Sequence, residues 1–210
     1  MIKYEALILG DLQTNCYLVW DEGTKDGVVI DPSDDGVGIS EELQARGIKL
    51  TGIWLTHGHF DHTLGALDLK LIYDVPIYIH NKDMFLLQRQ DETAKHFLKR
   101  NIETPNIIKI DDDLEKIKEI KLGEEKFEVI STPGHTPGSV CFYLGKQNLL
   151  FSGDTLFAHD RGRTDFSYGS TKKIFESLKN LMNLPDDTVV LPGHGETTTI
   201  EREKPRYKFS

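Results

Sequence analysis

The stretch "WLTHGHFDHTLG", Trp54–Gly65, puts three histidines and an aspartate (His57, His59, Asp61 and His62) within six residues. It closes the apolar, β-type run "LTGIWLT" and leads into "HTLGALDLKLIYD", which has helical spacing. The cluster is therefore expected in a loop at the end of a buried strand, where a rigid scaffold displays functional groups. Four ionisable groups this close would repel or desolvate one another in a packed core. Metal binding removes that conflict. An extended backbone puts His57 and His59, two residues apart, on one side. Asp61 and His62 are adjacent and do not suit one ion as a simple pair, which argues for two ions side by side.

Three more motifs repeat the pattern: "TPGHTPGS" with His135, "FSGDTLF" with Asp154, and "LPGHGE" with His194. Each follows an expected strand, and Gly and Pro flank both histidines. Imidazole nitrogen and carboxylate oxygen are the donors zinc and similar metals take. The two oxygens of Asp154 suit a bridge between two ions. Taken singly, each of these histidines reads as structural and Asp154 as a turn residue before Thr155. His80 and His96 lack such context and read as structural or surface residues, and His159 is left open.

Length and composition frame these motifs. The 210 residues, 38% hydrophobic and 28% charged, fit a single globular domain over 1–210. A net charge of −9 repels phosphate backbones, so nucleic acid is not an expected partner. Cys16 and Cys141 sit far apart among apolar neighbours and read as buried, reduced residues, which fits a cytoplasmic location. The N-terminus lacks the apolar core of a signal peptide, and no apolar run is long enough to span a bilayer, so no membrane role is expected. The first third reads as strands. "GVGISEELQARGIK" reads as a helix capped by Ser40 and ended by Gly47, and residues 81–101 as one or two amphipathic surface helices, which in a hydrolase also suit the border of a substrate groove. "STKKIFESLKNLMNL" is a further helix, and the polar tail after His194 is expected to end in coil. Two strand-rich halves carrying helices predict an α/β fold of two sheets packed face to face with helices outside.

"THGHFDH", "GHTPGS", "GDTLF" and "PGHG", in this order and at this spacing, resemble the metal motifs of the metallo-β-lactamase superfamily. The resemblance covers nearly the whole chain. It implies a four-layer αββα sandwich with the site at one edge between the sheets. The subgroup resembled is the short glyoxalase II-like (hydroxyacylglutathione hydrolase-like) enzymes. It implies that His57, His59 and His135 hold one metal, that Asp61, His62 and His194 hold the second, and that Asp154 bridges them. It also implies that Asp31 in "VVIDPS" supports the ligands from behind. In "RGRTDFSYGS", Arg161, Arg163 and Tyr168 match a substrate-contacting segment, and the arginines suit a carboxylate.

The activity so implied is hydrolysis of a small-molecule thioester, such as S-lactoylglutathione or a related acyl thioester. A hydroxide shared by two divalent cations would attack the carbonyl, with Asp61 orienting it or accepting a proton. Zinc is the first expectation for the metal, and iron or manganese also suits His and carboxylate. True β-lactamases of the superfamily commonly carry a cysteine in the second metal site, where this chain has none. Full-length glyoxalase II enzymes carry a C-terminal helical region that helps bind glutathione. This sequence runs only to Ser210 after His194, so the expectation is that this region is missing and that the thiol is not fixed as glutathione. "GRTDF" also resembles persulfide dioxygenases, which use a single iron in this fold. Lactone or ester hydrolysis and a non-catalytic metal module are further alternatives. The sequence sets no oligomeric state.

Overall fold

The computed structural model describes residues 1–99, 101 and 110–207. The first sheet runs β1 (Ile2–Leu9), β2 (Thr14–Asp21), β3 (Asp26–Ile30), β4 (Lys49–Trp54), β5 (Ile77–Ile79) and β6 (Asp112–Asp113) in spatial order. Its first three strands are antiparallel neighbours, and β3 to β6 pair in parallel. The second half supplies β7 (Glu119–Leu122), β8 (Glu125–Ser131), β9 (Val140–Leu144) and β10 (Leu149–Gly153). A small pair follows, β11 (Leu156–Phe157) with β12 (Asp160–Arg161), and then β13 (Val189–Pro192) and β14 (Thr198–Thr199). The second sheet has the order β14-β13-β10-β9-β8-β7, with β10 and β13 parallel.

Alternation along β4 builds three layers at once. Trp54 faces the second sheet and meets Phe127 and Phe142 at ring-centroid distances of 5.1 and 5.2 Å. Its neighbours Ile53 and Leu55 face the other way, onto α1 (Gly36–Ala45) and α2 (Ala66–Tyr73) through Ile39, Leu43 and Leu69. The outer face of the second sheet packs Cys141, Leu150 and Val190 against Ile174, Leu178 and Leu181 of α5 (Thr171–Leu181). Helix, sheet, sheet and helix thus stack in four layers, as expected. Trp54→Ala is expected to lower unfolding free energy by about 3–5 kcal/mol, because that cavity cannot collapse between two rigid sheets. Denaturant titration measures it.

Two local expectations change. Asp35, not Ser40, caps α1: its carboxylate accepts the Gly38 N–H at 2.9 Å, while Ser40 lies inside the helix with its hydroxyl 2.8 Å from that of Tyr73. The tail is not coil as far as it is described. Thr199 caps α6 (Ile200–Glu203), and Ile200 and Tyr207 anchor the segment in the core beneath α5. Its last residues, 208–210, lie outside the described residues. The 81–101 stretch forms α3 (Met84–Leu87) and α4 (Gln90–Leu98) after a 3-10 turn, with residue 100 outside the described set. Cys16 and Cys141 are buried and unpaired with each other. Among the described residues no helix is long and apolar enough to cross a membrane.

Candidate metal centre

Parallel strands of both sheets end at one rim, and the loops leaving them carry the chemistry. Asp31 follows β3, His57 follows β4, Asp154 follows β10, and His194 follows β13. His59, Asp61 and His62 sit in and beside the turn after β4, and His135 in the loop between β8 and β9. All seven residues expected to be ligands converge there.

Nitrogen atoms face nitrogen atoms at the centre. His57 Nε2 lies 3.0 Å from His59 Nδ1, which lies 2.9 Å from His135 Nε2. His62 Nε2 lies 3.3 Å from His194 Nε2. The outer nitrogens decide which inner ones carry lone pairs. His135 Nδ1–H donates to the Arg163 carbonyl at 2.8 Å, and His194 Nδ1–H to the Leu12 carbonyl at 3.1 Å. His62 Nδ1–H donates to Asp31 at 3.0 Å, and His59 Nε2–H to the Tyr168 hydroxyl at 2.9 Å. In the first group the inner nitrogens of His59 and His135 therefore point lone pairs at one another, which repels unless a cation lies between them. Ligand atoms on a tetrahedron around a metal with ~2.0–2.1 Å bonds lie about 3.3 Å apart. His57–His59–His135 and Asp61–His62–His194 each bring their donors within 4.8 Å of one another.

Asp154 stands between the two groups. Its Oδ2 is 3.4 Å from His135 Nε2, and its Oδ1 is 3.3 Å from His62 Nε2 and 3.8 Å from His194 Nε2. Oδ1 is buried and accepts no hydrogen bond. A buried carboxylate oxygen without a donor is costly, and a cation on either side relieves it. The donor set therefore fits two ions sharing one carboxylate.

Electrostatics divide the site the same way. Burial, reinforced by neighbouring imidazoles, holds His57 well below the usual histidine range and His59 down to about 3. His135 is lowered too, again chiefly by burial. These imidazoles are neutral, the state a metal ligand needs. Burial also opposes charge on His62, but the Asp154 and Asp61 carboxylates outweigh it and raise that imidazole well above its ordinary value. Asp154 in turn is held well below the carboxylate range by the imidazoles around it, against the pull of burial.

Asp31 is fully buried in a left-handed backbone conformation (φ 53°), which Asp tolerates better than most residues. It accepts the Thr56 N–H at 2.8 Å and the Thr56 hydroxyl at 2.6 Å as well as His62. Thr56 Oγ1 is also 3.1 Å from His57 Nδ1, so this carboxylate reaches both groups.

A cavity of about 250 Å³ opens over the histidines, lined by Asp61, Asp154, Leu12, Phe60, Phe97, Arg163, Phe166 and Tyr168. It continues into a cleft of about 540 Å³ walled by Phe85, Arg89, Thr93, His96, Phe97 and Phe166. Arg163 and Tyr168 line both. The Arg163 guanidinium is held by Asp165 at 2.7 and 2.6 Å and lies over the Phe166 ring. Arg161 lines neither space: its guanidinium packs 4.8 Å from the Phe175 ring centroid and donates to the Gly162 carbonyl. Arg161 is thus not placed beside Arg163 and Tyr168 at either space. His96, read as a surface residue, borders the outer cleft. His80 is buried, near Asp113 and Glu115 and away from this centre.

A family model described as "Metallo-beta-lactamase superfamily" matches residues 9–194. The chain belongs to the metallo-beta-lactamase superfamily. It is 36% identical over 208 residues to hydroxyacylglutathione hydrolase GloC of Haemophilus influenzae, covering 97% of this chain and 95% of that one. Among solved structures it resembles BLEG-1 B3 metallo-beta-lactamase, with a TM-score of 0.90, 33% identity and 99% of each chain covered. It also resembles TTHA1623 in a di-iron-bound form, with a TM-score of 0.85, 35% identity, and 95% and 96% of the two chains covered. The superfamily's His and Asp clusters are present here, and these relatives leave the identity of the metal open.

Proposed function

We propose that this chain is a binuclear metal-dependent hydrolase of small acyl thioesters. The observation that carries the proposal is the pair of converging donor groups with the unpartnered Asp154 oxygen between them. In this reading His57, His59 and His135 hold one ion, Asp61, His62 and His194 the second, and Asp154 bridges them. Zinc, iron and manganese all accept this donor set. The similarity to a hydroxyacylglutathione hydrolase supports a thioester as substrate.

Two bound divalent ions would acidify a water between them and polarise a carbonyl oxygen. The protein supplies the rest. Asp61 lines the cavity and stays charged, because His62 and His194 outweigh the effect of burial. It is thus ready to orient a water or take its proton. Burial pushes the Tyr168 phenol up to about 12, so its hydroxyl remains a donor at neutral pH. With His59 as donor to it, the hydroxyl would keep its own proton for a substrate oxygen in the cavity. Phe97 and Phe166 cover the apolar part of the substrate and exclude water. A thiolate leaves without protonation, so the site needs no general acid.

The mononuclear-iron persulfide dioxygenase reading uses only His57, His59 and His135. It leaves the convergence of Asp61, His62 and His194 unexplained, and that convergence favours the hydrolase.

Metal analysis of protein produced with zinc, iron and manganese all available, followed by a panel of thioesters, lactones and a β-lactam, tests the proposal. Two metals per chain and the highest kcat/KM on a thioester are expected. One iron per chain with oxygen uptake on a persulfide would replace it, and preference for a lactone or β-lactam would correct the substrate class. Within the panel, Arg163→Gln is expected to raise KM about tenfold for a carboxylate-bearing thioester and to leave a neutral one unchanged, a loss of ~1.4 kcal/mol.

A further inference from the structure

Asp83 is a wholly buried carboxylate between the loops of His57 and His135, and nothing in the chemistry above uses it. It lies in the 3-10 turn after β5, outside the conspicuous motifs. Its Oδ2 accepts the Gly58 N–H at 3.1 Å, from the residue between His57 and His59. The same oxygen accepts the Thr136 hydroxyl at 2.6 Å, and Oδ1 accepts the Gly138 N–H at 2.7 Å, both beside His135. One side chain thus ties together the two loops that carry His57, His59 and His135. Among the described residues no hydrogen bond runs from Asp83 to Asp61, to His62 or to the loop of His194.

The surroundings leave this carboxylate little freedom. A Cβ at Gly138 would lie 2.7 Å from the Asp83 carboxylate, and one at Gly58 2.8 Å from its backbone carbonyl. Both loops approach as closely as glycine permits. Burial pushes the carboxyl up to about 6 even though three hydrogen bonds favour its charged form. An apolar residue would pack there without that cost, but it would not hold two loops in register.

We infer that Asp83 is a positioning residue for the first metal group: it sets the separation of the His57–Gly58–His59 segment from His135, and hence the affinity of that group alone. The inference rests on the proposal that these three histidines hold a metal. Asp31 orients His62 directly and reaches His57 through Thr56, whereas Asp83 spaces the His57–His59 segment from His135 through two backbone amides and the Thr136 hydroxyl.

Cobalt(II) and zinc titrations of wild type, Asp83→Asn, Thr136→Val and Thr136→Ser test it, with cobalt absorption bands and chelator competition as readouts. Supporting groups of this kind change metal affinity by about 10–100-fold when removed. Asp83→Asn is expected to weaken one of the two metals within that range and leave the other unchanged. Thr136→Val should do the same to a smaller extent, and Thr136→Ser should restore wild-type binding. Equal weakening of both metals with a lower Tm would reduce Asp83 to a general structural role and overturn the inference, as would unchanged binding of both. If wild type itself binds fewer than two metals, the failure lies with the binuclear reading instead. Should Asp83→Asn not fold, the two Thr136 variants still decide the matter.

Discussion

Asp154→Ala is expected to lower kcat/KM by about 10³-fold or more and to reduce metal content below two per chain. A bridging carboxylate fixes the spacing of both ions, and two-ion stabilisation of a transition state is worth several kcal/mol, with each ~1.4 kcal/mol equal to a factor of ten. The fold should survive. The Asp154 side chain projects between loops at the rim and takes no part in the core clusters. Far-UV circular dichroism, metal analysis and kinetics on one preparation check this. Wild-type rates in the variant would eliminate the bridging role.

Gly193→Ala is expected to be nearly as damaging, although it adds only a methyl group and alters no ligand. A Cβ there would lie 2.4 Å from Asp154 Oδ1 and 2.7 Å from His62 Cε1. The segment cannot retreat, because Gly193 N–H donates to the Gly153 carbonyl at 2.9 Å and its own carbonyl accepts from Asn15 at 2.7 Å. Asp154 or His62 must therefore move. Loss of at least one metal per chain and a kcat/KM reduced by about 10²-fold or more are expected, since ligand misplacement of about 1 Å costs that much. Retention of two metals at wild-type affinity would mean that the loop is softer than its hydrogen bonds imply.

Both predictions concern motifs visible in the sequence, and the reason is local. Each ligand follows a strand, and Gly, Pro and charge concentrate where strands end, so His57, His135, Asp154 and His194 stand out one by one. The sandwich was legible for a similar reason, since alternation in segments such as β4 marks two buried faces. What escaped notice depends on distant partners. Asp83 sits inside a run that reads as an ordinary amphipathic helix, and only Gly58 and Gly138, 25 and 55 residues away, give it meaning. Ser and Asp serve equally well as caps, so residue type does not choose between Ser40 and Asp35, and only the turn of the chain at Asp35 decides. The polar tail concealed Ile200 and Tyr207, two anchors too few to make a periodic signal. Arg161 and Arg163 look alike in sequence, yet a neighbouring Phe175 draws the first away from the cavity.

The loop after β13 brings the last residue of the centre, and His194 reaches back to the Leu12 carbonyl near the start of the chain. The assembly order on a ribosome follows from this. His57, His59, Asp61 and His62 emerge early, His135 and Asp154 much later, and His194 almost at the end of the 210 residues. A nascent chain can offer three of the first-group histidines only after β9 has closed against β8, and the second group waits for β13. Because such long-range pairing forms late, the second metal group should be completed only once β13 has paired with β10. Both donor groups thus depend on the pairing of the second sheet, which ties their assembly to folding of the whole sandwich.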